Sequence, residues 1–230
     1  MPDSPQPPPQ PRPWYSMSPQ KLIIIILLVM CLAALIALIV IVTSGTRNPE
    51  CFDGSSLVMK HDGSQVKMRD LRLGDLLLTA YAIENNRIRF QQSPLLGLDI
   101  YQKYKNDSPV RYLEIHTNSS SATSPLHITP TNSLLVTKKG ESKSRYIFAQ
   151  EVNIEDYLHS ITDDYEFSIS SQVTHIKPVV LFDAYAPLTL EGNFIVNNFV
   201  VSCYGTFSHS TGHLVKMPRR WLLYYLYFKL

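Results

Sequence analysis

The chain has 230 residues, with 21 Lys and Arg against 19 Asp and Glu, so its formal net charge at pH 7 is only +2. Because it has no long basic run that could neutralise a phosphate backbone, a nucleic-acid partner is not expected. Its three cysteines are too few for a disulfide scaffold or for a zinc site made of four thiolates, and no cofactor is predicted.

The first segment, residues 1–21, is rich in proline and poor in aliphatic side chains. Such a composition cannot bury a hydrophobic core, so we predict a disordered cytosolic tail. Pro8 to Pro11 matches the minimal PxxP pattern of ligands for SH3-type domains. A binding segment for an SH3 or WW partner and a solvated spacer are the two interpretations.

The second segment, residues 22–42, is uncharged and consists mainly of Leu, Ile, Val and Ala. Its length suits a single transmembrane helix, which makes membrane lipid a predicted partner, and its leader is too long for a cleavable signal peptide. Arg12 and Lys21 precede the span, so the N-terminus is predicted to be cytosolic and the rest lumenal or extracellular. Acceptor triplets for glycosylation at Asn106 and Asn118 agree with that topology.

After a short linker at residues 43–50, the pattern becomes that of short strands between polar turns. His61-Asp62-Gly63-Ser64 is typical of a hairpin turn, because Asp-Gly adopts positive φ at low cost. We find no long amphipathic helical window after residue 56, which favours an all-β domain over an α/β fold. The predicted strands cover residues 57–59, 76–81, 111–116, 133–136, 179–182 and 194–201.

Several motifs follow one another in this domain: Cys51-Phe52-Asp53-Gly54-Ser55, Leu73-Gly74-Asp75, Leu96-Gly97-Leu98-Asp99, Thr129 to Asn132, Glu191-Gly192-Asn193-Phe194, Ser202-Cys203-Tyr204, His209 and His213. Their order resembles that of the Hint domain of Hedgehog proteins, and the resemblance covers residues 51–213. It implies a Hint-type β-fold disk after the transmembrane helix, with autoprocessing activity, and it leaves residues 214–230 as an aromatic and basic C-terminal tail.

The resemblance also implies roles for individual residues. Cys51 would attack the carbonyl of Glu50 to form a thioester, and Thr129 would orient the scissile amide. Asp99 would act as general base toward a sterol or other lipid hydroxyl, or toward water. Cys203 would close near the nucleophile, either as a reversible disulfide with Cys51 or as a buried thiol.

Two positions depart from the family pattern. Asn132 stands where the family has histidine, and an amide cannot deliver a proton to the departing amine. Glu50 stands where glycine is usual, and its carboxylate disfavours a neighbouring thiolate. His127 offers a replacement acid, because on a strand it would share a face with Thr129.

Two hypotheses follow for the whole chain. The first is a membrane-anchored domain that cleaves itself once at Glu50-Cys51, and the second is a catalytically degenerate pseudo-Hint domain that serves as a tethered binding or structural module. Intein splicing is not expected, since Cys203 occupies the position where splicing requires asparagine. His209 and His213 lie four residues apart but lack a third ligand, so no metal site is predicted.

Overall fold

The computed structural model describes residues 18–44, 51–84, 87–102, 109–119, 124–162, 168–205 and 207–228. The chain divides into two compact units, residues 1–47 and 48–230. The first unit contains helix α1 at Pro19–Ser44, whose side chains from residue 33 onward lie outside the described residues. Among the side chains that are described, no helix has the length and apolar character needed to cross a membrane. The transmembrane assignment stays a prediction.

The second unit consists mainly of β-strands, which confirms the predicted class. Two short helices follow the strands, α2 at His209–Val215 and α3 at Met217–Phe228. The strands are β1 Leu57–Met59, β2 Gln65–Lys67, β3 Leu76–Glu84, β4 Arg87–Gln102, β5 Val110–Thr117, β6 Leu126–Ile128, β7 Ser133–Thr137, β8 Ser144–Phe148, β9 Tyr157–Ile161, β10 Ser168–Leu181, β11 Ala184–Thr189, β12 Asn193–Val196 and β13 Phe199–Ser202.

The strands form a large sheet and a small one. The large sheet runs in the order β2-β1-β12-β13-β7-β9-β10-β5-β6, with β8 added beside β7, and the small sheet has the order β11-β4-β3. Phe52 links the two, since it forms isolated bridges with Tyr185 of β11 and Ile128 of β6. Its ring is 1% exposed and meets the ring of Phe194 edge-on at 5.2 Å, so the residue before it is held in a fixed place.

Hairpin turns follow the residues that tolerate positive φ. Gly63 has a φ of 82° in the turn between β1 and β2, as the Asp-Gly pair predicted. The prediction of one strand over residues 194–201 is wrong, because Asn197 and Asn198, at φ 46° and 72°, turn the chain between β12 and β13. Asparagine is one of the few residues that occupy this region readily, so the apolar run on either side became a hairpin.

The aromatic and basic C-terminal segment, predicted as a tail over residues 214–230, is largely helical up to residue 228. Helix α3 spans 12 residues and includes Trp221, Tyr224 and Tyr225. Aromatic residues are enriched in strands, which hid the helical period of this segment. The preceding helix α2 packs closely on the sheet domain, since a Cβ on Gly212 would lie only 2.6 Å from Cγ of Tyr204.

Candidate active site

Cys51 lies fully buried beside Thr129. The amide N–H of Cys51 donates to Oγ1 of Thr129 at 3.0 Å, and the amide N–H of Thr129 donates to the Cys51 carbonyl at 3.2 Å. The nitrogen of Cys51 belongs to the peptide bond with Glu50, a residue that lies outside the described residues. The Thr129 hydroxyl therefore contacts the nitrogen of the predicted scissile amide.

The surroundings of Cys51 are mostly apolar. It packs in a cluster with Val110, Tyr112 and Ala184. The hydroxyl of Tyr112 donates to the carbonyl of Asp183 at 2.6 Å. Burial, reinforced by the acidic groups of Cys51, Asp53 and Asp183, raises the pKa of Tyr112 far above its ordinary value. Tyr112 thus stays protonated and keeps this hydrogen bond, which fixes one wall of the site.

His127 lies on the same face as the nucleophile. The bridge between Phe52 and Ile128 places Asp53 opposite His127, just as Cys51 is opposite Thr129, and side chains two residues apart on a strand share a face. Nε2 of His127 is 3.2 Å from Oε2 of Glu114, within hydrogen-bond distance, whereas Nδ1 is 3.9 Å from Oδ2 of Asp53. Because a carboxylate only accepts, Nε2 of His127 is the donor in its hydrogen bond with Glu114.

Glu114 supports His127 from behind. Its second oxygen, Oε1, lies 2.6 Å from Nε2 of His116 and 2.9 Å from Nζ of Lys177. Burial opposes the charge, but the hydrogen bonds from Lys177, His116 and His127 outweigh it and lower the pKa of Glu114 to about 2. The carboxylate is consequently ionised at neutral pH and holds the His127 ring in one tautomer and orientation.

Asn132 shapes the turn that follows Thr129. Its side chain is buried, and Oδ1 accepts a hydrogen bond from the N–H of Ser133 at 3.0 Å. Its own N–H donates to the Thr129 carbonyl at 3.0 Å, and its carbonyl accepts from Ala149 at 2.8 Å. The Asn132 backbone thus holds the turn at Thr129, and its side chain supports the same turn through Ser133.

Asn132→Ala should therefore affect stability more than chemistry. The variant removes one of two acceptors of the Ser133 N–H, which also donates to the Tyr204 carbonyl at 3.2 Å, so we expect the free energy of unfolding to fall by only about 0.5–1.5 kcal/mol in urea titrations. Cleavage at Glu50-Cys51 should persist within about tenfold of the wild-type rate, because Thr129 and His127 are unchanged. A folded Asn132→Ala protein that no longer cleaves would show that the amide itself takes part in the reaction.

Asp99 lies on the side of β4 that faces the Cys51 cluster. It is paired with Ala186 of β11, and Ala186 packs against that cluster. Both of its carboxylate oxygens are bound by Arg219 of α3, at 3.1 Å from Nη1 and 3.0 Å from Nη2. Asp99 is thus held in an ion pair, and its role as a base stays a prediction.

Cys203 packs against the main hydrophobic core, and it is a free thiol. Its Sγ is 3.5 Å from Oγ1 of Thr189. Burial raises the pKa of Cys203 to about 11, although hydrogen bonding to Thr189 opposes the shift. Of the two forms that the resemblance implied, the structure shows Cys203 as a free thiol rather than in a disulfide with Cys51.

His209 and His213 line a cavity of about 380 Å³, together with Tyr146 and Glu191. Tyr146 stacks on His209 with the ring centroids 3.8 Å apart. Burial, with help from His213 and Arg220, lowers the pKa of His209 to about 4, so its ring is neutral. Within the described ranges, no three His, Cys, Asp or Glu side chains are grouped so that they could hold a metal ion.

The structure describes one of the two predicted glycosylation acceptors, Asn118. Asn106 lies outside the described residues. Asn118 is exposed, and its Oδ1 accepts a hydrogen bond from the N–H of Gln172 at 2.8 Å. Glycosylation at both positions stays a prediction.

The model of the Hint module family matches residues 43–227. The chain belongs to the Hint module family. Solved Hint-fold structures agree: a DnaB intein from Synechocystis superposes with a TM-score of 0.53 at 11% identity, covering 66% of this chain and 96% of the intein. The TvoVMA intein gives 0.51 at 17% identity, with 67% and 98% covered. At such identities the likeness supports the fold alone.

Sequence relatives identify the Hint domain as Hedgehog-type. Indian hedgehog B protein of Danio rerio is 30% identical over 186 residues, which are 76% of this chain and 42% of that protein. Warthog protein 6 of Caenorhabditis elegans is 26% identical, with 70% of this chain and 25% of that protein covered. Protein hedgehog of Drosophila virilis is 25% identical, with 76% and 34% covered. The chain spans less than half the length of each.

Three contributors to the Hint-domain site were missed from sequence. Asp53 could have been found, since alternation along the strand places it on the face of Cys51. Glu114 and Arg219 carried no local signal, because they reach His127 and Asp99 only through the pairing of β5 with β6 and the packing of α3.

Proposed function

We propose that this Hint domain cleaves its own chain between Glu50 and Cys51 through an N-to-S acyl shift. The observation that carries the proposal is the hydrogen bond of 3.0 Å from the Cys51 N–H to Oγ1 of Thr129. It engages the amide nitrogen whose lone pair must be withdrawn from resonance before the bond can break. A buried threonine hydroxyl bound to that nitrogen is well placed to orient the amide for attack.

The first step transfers one proton and exchanges one bond. The lone pair on Nδ1 of His127 takes the proton of the Cys51 thiol, and Sγ adds to the carbonyl carbon of Glu50. The carbon–nitrogen bond then breaks, and the amine of Cys51 receives the proton from His127. His127 thereby supplies the proton transfer that Asn132 cannot, and Glu114 and Asp53 hold it for that purpose.

The second step releases the thioester. An O–H nucleophile, either water or the hydroxyl of a lipid such as a sterol, loses its proton to Asp99 and attacks the Glu50 carbonyl. The carbon–sulfur bond breaks, and the proton passes to the Cys51 thiolate. The products are residues 1–50, held in the membrane by the predicted span with a cytosolic N-terminus, and a lumenal domain that begins at Cys51.

A second candidate function is a pseudo-Hint module that no longer cleaves. It is favoured by the structural role of Asn132 and by the ion pair that occupies Asp99. In that case the fold would serve as a tethered binding or structural domain.

The two functions are separated by expressing the full chain in a secretory-competent cell beside Cys51→Ala and measuring intact masses. The proposal expects a fragment that begins at Cys51 in the wild type and only full-length protein in the variant. Full-length, folded protein in both would favour the pseudo-Hint module. Any mass added to the residue 1–50 fragment would identify the second nucleophile.

A further inference from the structure

Arg219 of helix α3 donates hydrogen bonds to both carboxylate oxygens of Asp99. The two hydrogen bonds, at 3.1 and 3.0 Å, form a fork in which the guanidinium faces the carboxylate edge. Hydrogen bonding to Asp99 raises the pKa of Arg219 further above its usual range. The guanidinium is thus permanently charged.

Helix α3 is fixed to the same side of β4 by further contacts. A Cβ on Gly97 would lie 3.9 Å from both Nη2 of Arg219 and Cδ1 of Leu223, so the helix passes directly over this glycine. Gly97 and Asp99 share a face because they are two residues apart on one strand. Their partners on β11 are Leu188 and Ala186, and Ala186 packs against the Cys51 cluster.

We propose that Arg219 is a positioning residue that withholds Asp99 from thioester release until α3 moves. The inference rests on the proposed function. A carboxylate with both oxygens bound to a guanidinium has its charge compensated and its lone pairs engaged, so it accepts a proton poorly. When Arg219 is displaced, Asp99 takes the proton of the O–H nucleophile, oxygen replaces sulfur on the Glu50 carbonyl, and the proton ends on the Cys51 thiolate.

This arrangement separates the two steps. The acyl shift depends on Cys51, Thr129 and His127, which are brought together by the hydrogen bond of Cys51 to Thr129 and by the strand pairing at Phe52 and Ile128. Release by water or an alcohol depends on Asp99 and hence on Arg219. A small thiol such as dithiothreitol attacks as its own thiolate and needs no base. Its release of the thioester therefore does not depend on Asp99 or Arg219.

The test compares Arg219→Gln with the wild type in the full chain and measures two rates of fragment release, one in water alone and one with dithiothreitol. Arg219→Gln should speed release in water by about tenfold or more, since a freed general base is typically worth about 10²–10⁴. Release by dithiothreitol should be unchanged. The double variant Arg219→Gln with Asp99→Asn should return release in water to the wild-type rate or below.

Arg145→Gln provides a matched control, because Arg145 forms an exposed ion pair with Glu141 away from this face. Its rates should equal those of the wild type. Release in water that is unchanged or slower in Arg219→Gln, while dithiothreitol still releases the Cys51 fragment, would overturn the inference and leave the proposed function intact. No release by dithiothreitol in any folded protein would overturn both. Loss of the half-exposed ion pair between Arg219 and Asp99 should itself cost little stability.

Discussion

His127→Gln is expected to slow thiol-induced cleavage at Glu50-Cys51 by about 10²–10⁴-fold, the usual contribution of a general acid. Glutamine can still hydrogen-bond Glu114, so the strand pairing should survive, but it cannot carry a proton from the thiol to the amine. Nδ1 of His127 lies on the face of Cys51, 3.9 Å from Oδ2 of Asp53, while Nε2 is bound to Glu114 at 3.2 Å. The rate of fragment appearance with excess dithiothreitol measures the effect.

The control for this variant is His61→Gln, because His61 is exposed in the turn between β1 and β2. It should cleave at the wild-type rate. If a folded His127→Gln protein also cleaves within threefold or so of the wild type, another group transfers the proton and the role assigned to His127 is wrong.

Thr129→Val is expected to slow the same reaction by about 10- to 100-fold, which corresponds to about 1.4–2.8 kcal/mol of transition-state stabilisation. Valine keeps the branched shape but removes the oxygen that lies 3.0 Å from the Cys51 nitrogen. Without that contact the buried N–H loses its acceptor and the amide loses its orientation. Single-turnover cleavage with dithiothreitol, together with thermal unfolding, separates loss of rate from loss of fold.

Thr129→Ser restores the hydroxyl without the methyl group and should recover most of the rate. Equal slowing in Thr129→Ser and Thr129→Val would mean that the methyl group matters as much as the hydroxyl, so that the hydrogen bond alone would not explain the role of Thr129. Cleavage at the wild-type rate in Thr129→Val would remove the observation on which the mechanism depends.

Much of the fold could be predicted because its signals are local. The β1 strand and its turn at Gly63 follow from alternation and from one residue pair that accepts positive φ. The split of residues 194–201 into a hairpin was missed, because an Asn-Asn turn inside an apolar run is a weaker signal than Asp-Gly. Helix α3 was missed because aromatic residues are enriched in strands. In the structure this segment is a helix that lies over Gly97 of β4.

The candidate site was predictable only where a motif marks it. Cys51 and Thr129 are 78 residues apart, yet the structure joins them by the hydrogen bond that the family resemblance implied. The partners of His127 and Asp99 could not be predicted, since Glu114 depends on the register of β5 against β6 and Arg219 on the docking of a helix. The charged partners of this site meet through long-range strand pairing and helix docking, which no local sequence pattern predicts.

Hydroxylamine trapping tests the central claim most directly. The purified full chain, beside Cys51→Ala, is treated with neutral hydroxylamine, and the C-terminus of the residue 1–50 fragment is read by mass spectrometry. A thioester between Glu50 and Cys51 predicts a hydroxamate on the Glu50 carbonyl in the wild type and no fragment in the variant. An intact wild-type chain, or a fragment that ends in an ordinary carboxylate and also forms in Cys51→Ala, would contradict self-cleavage through Cys51.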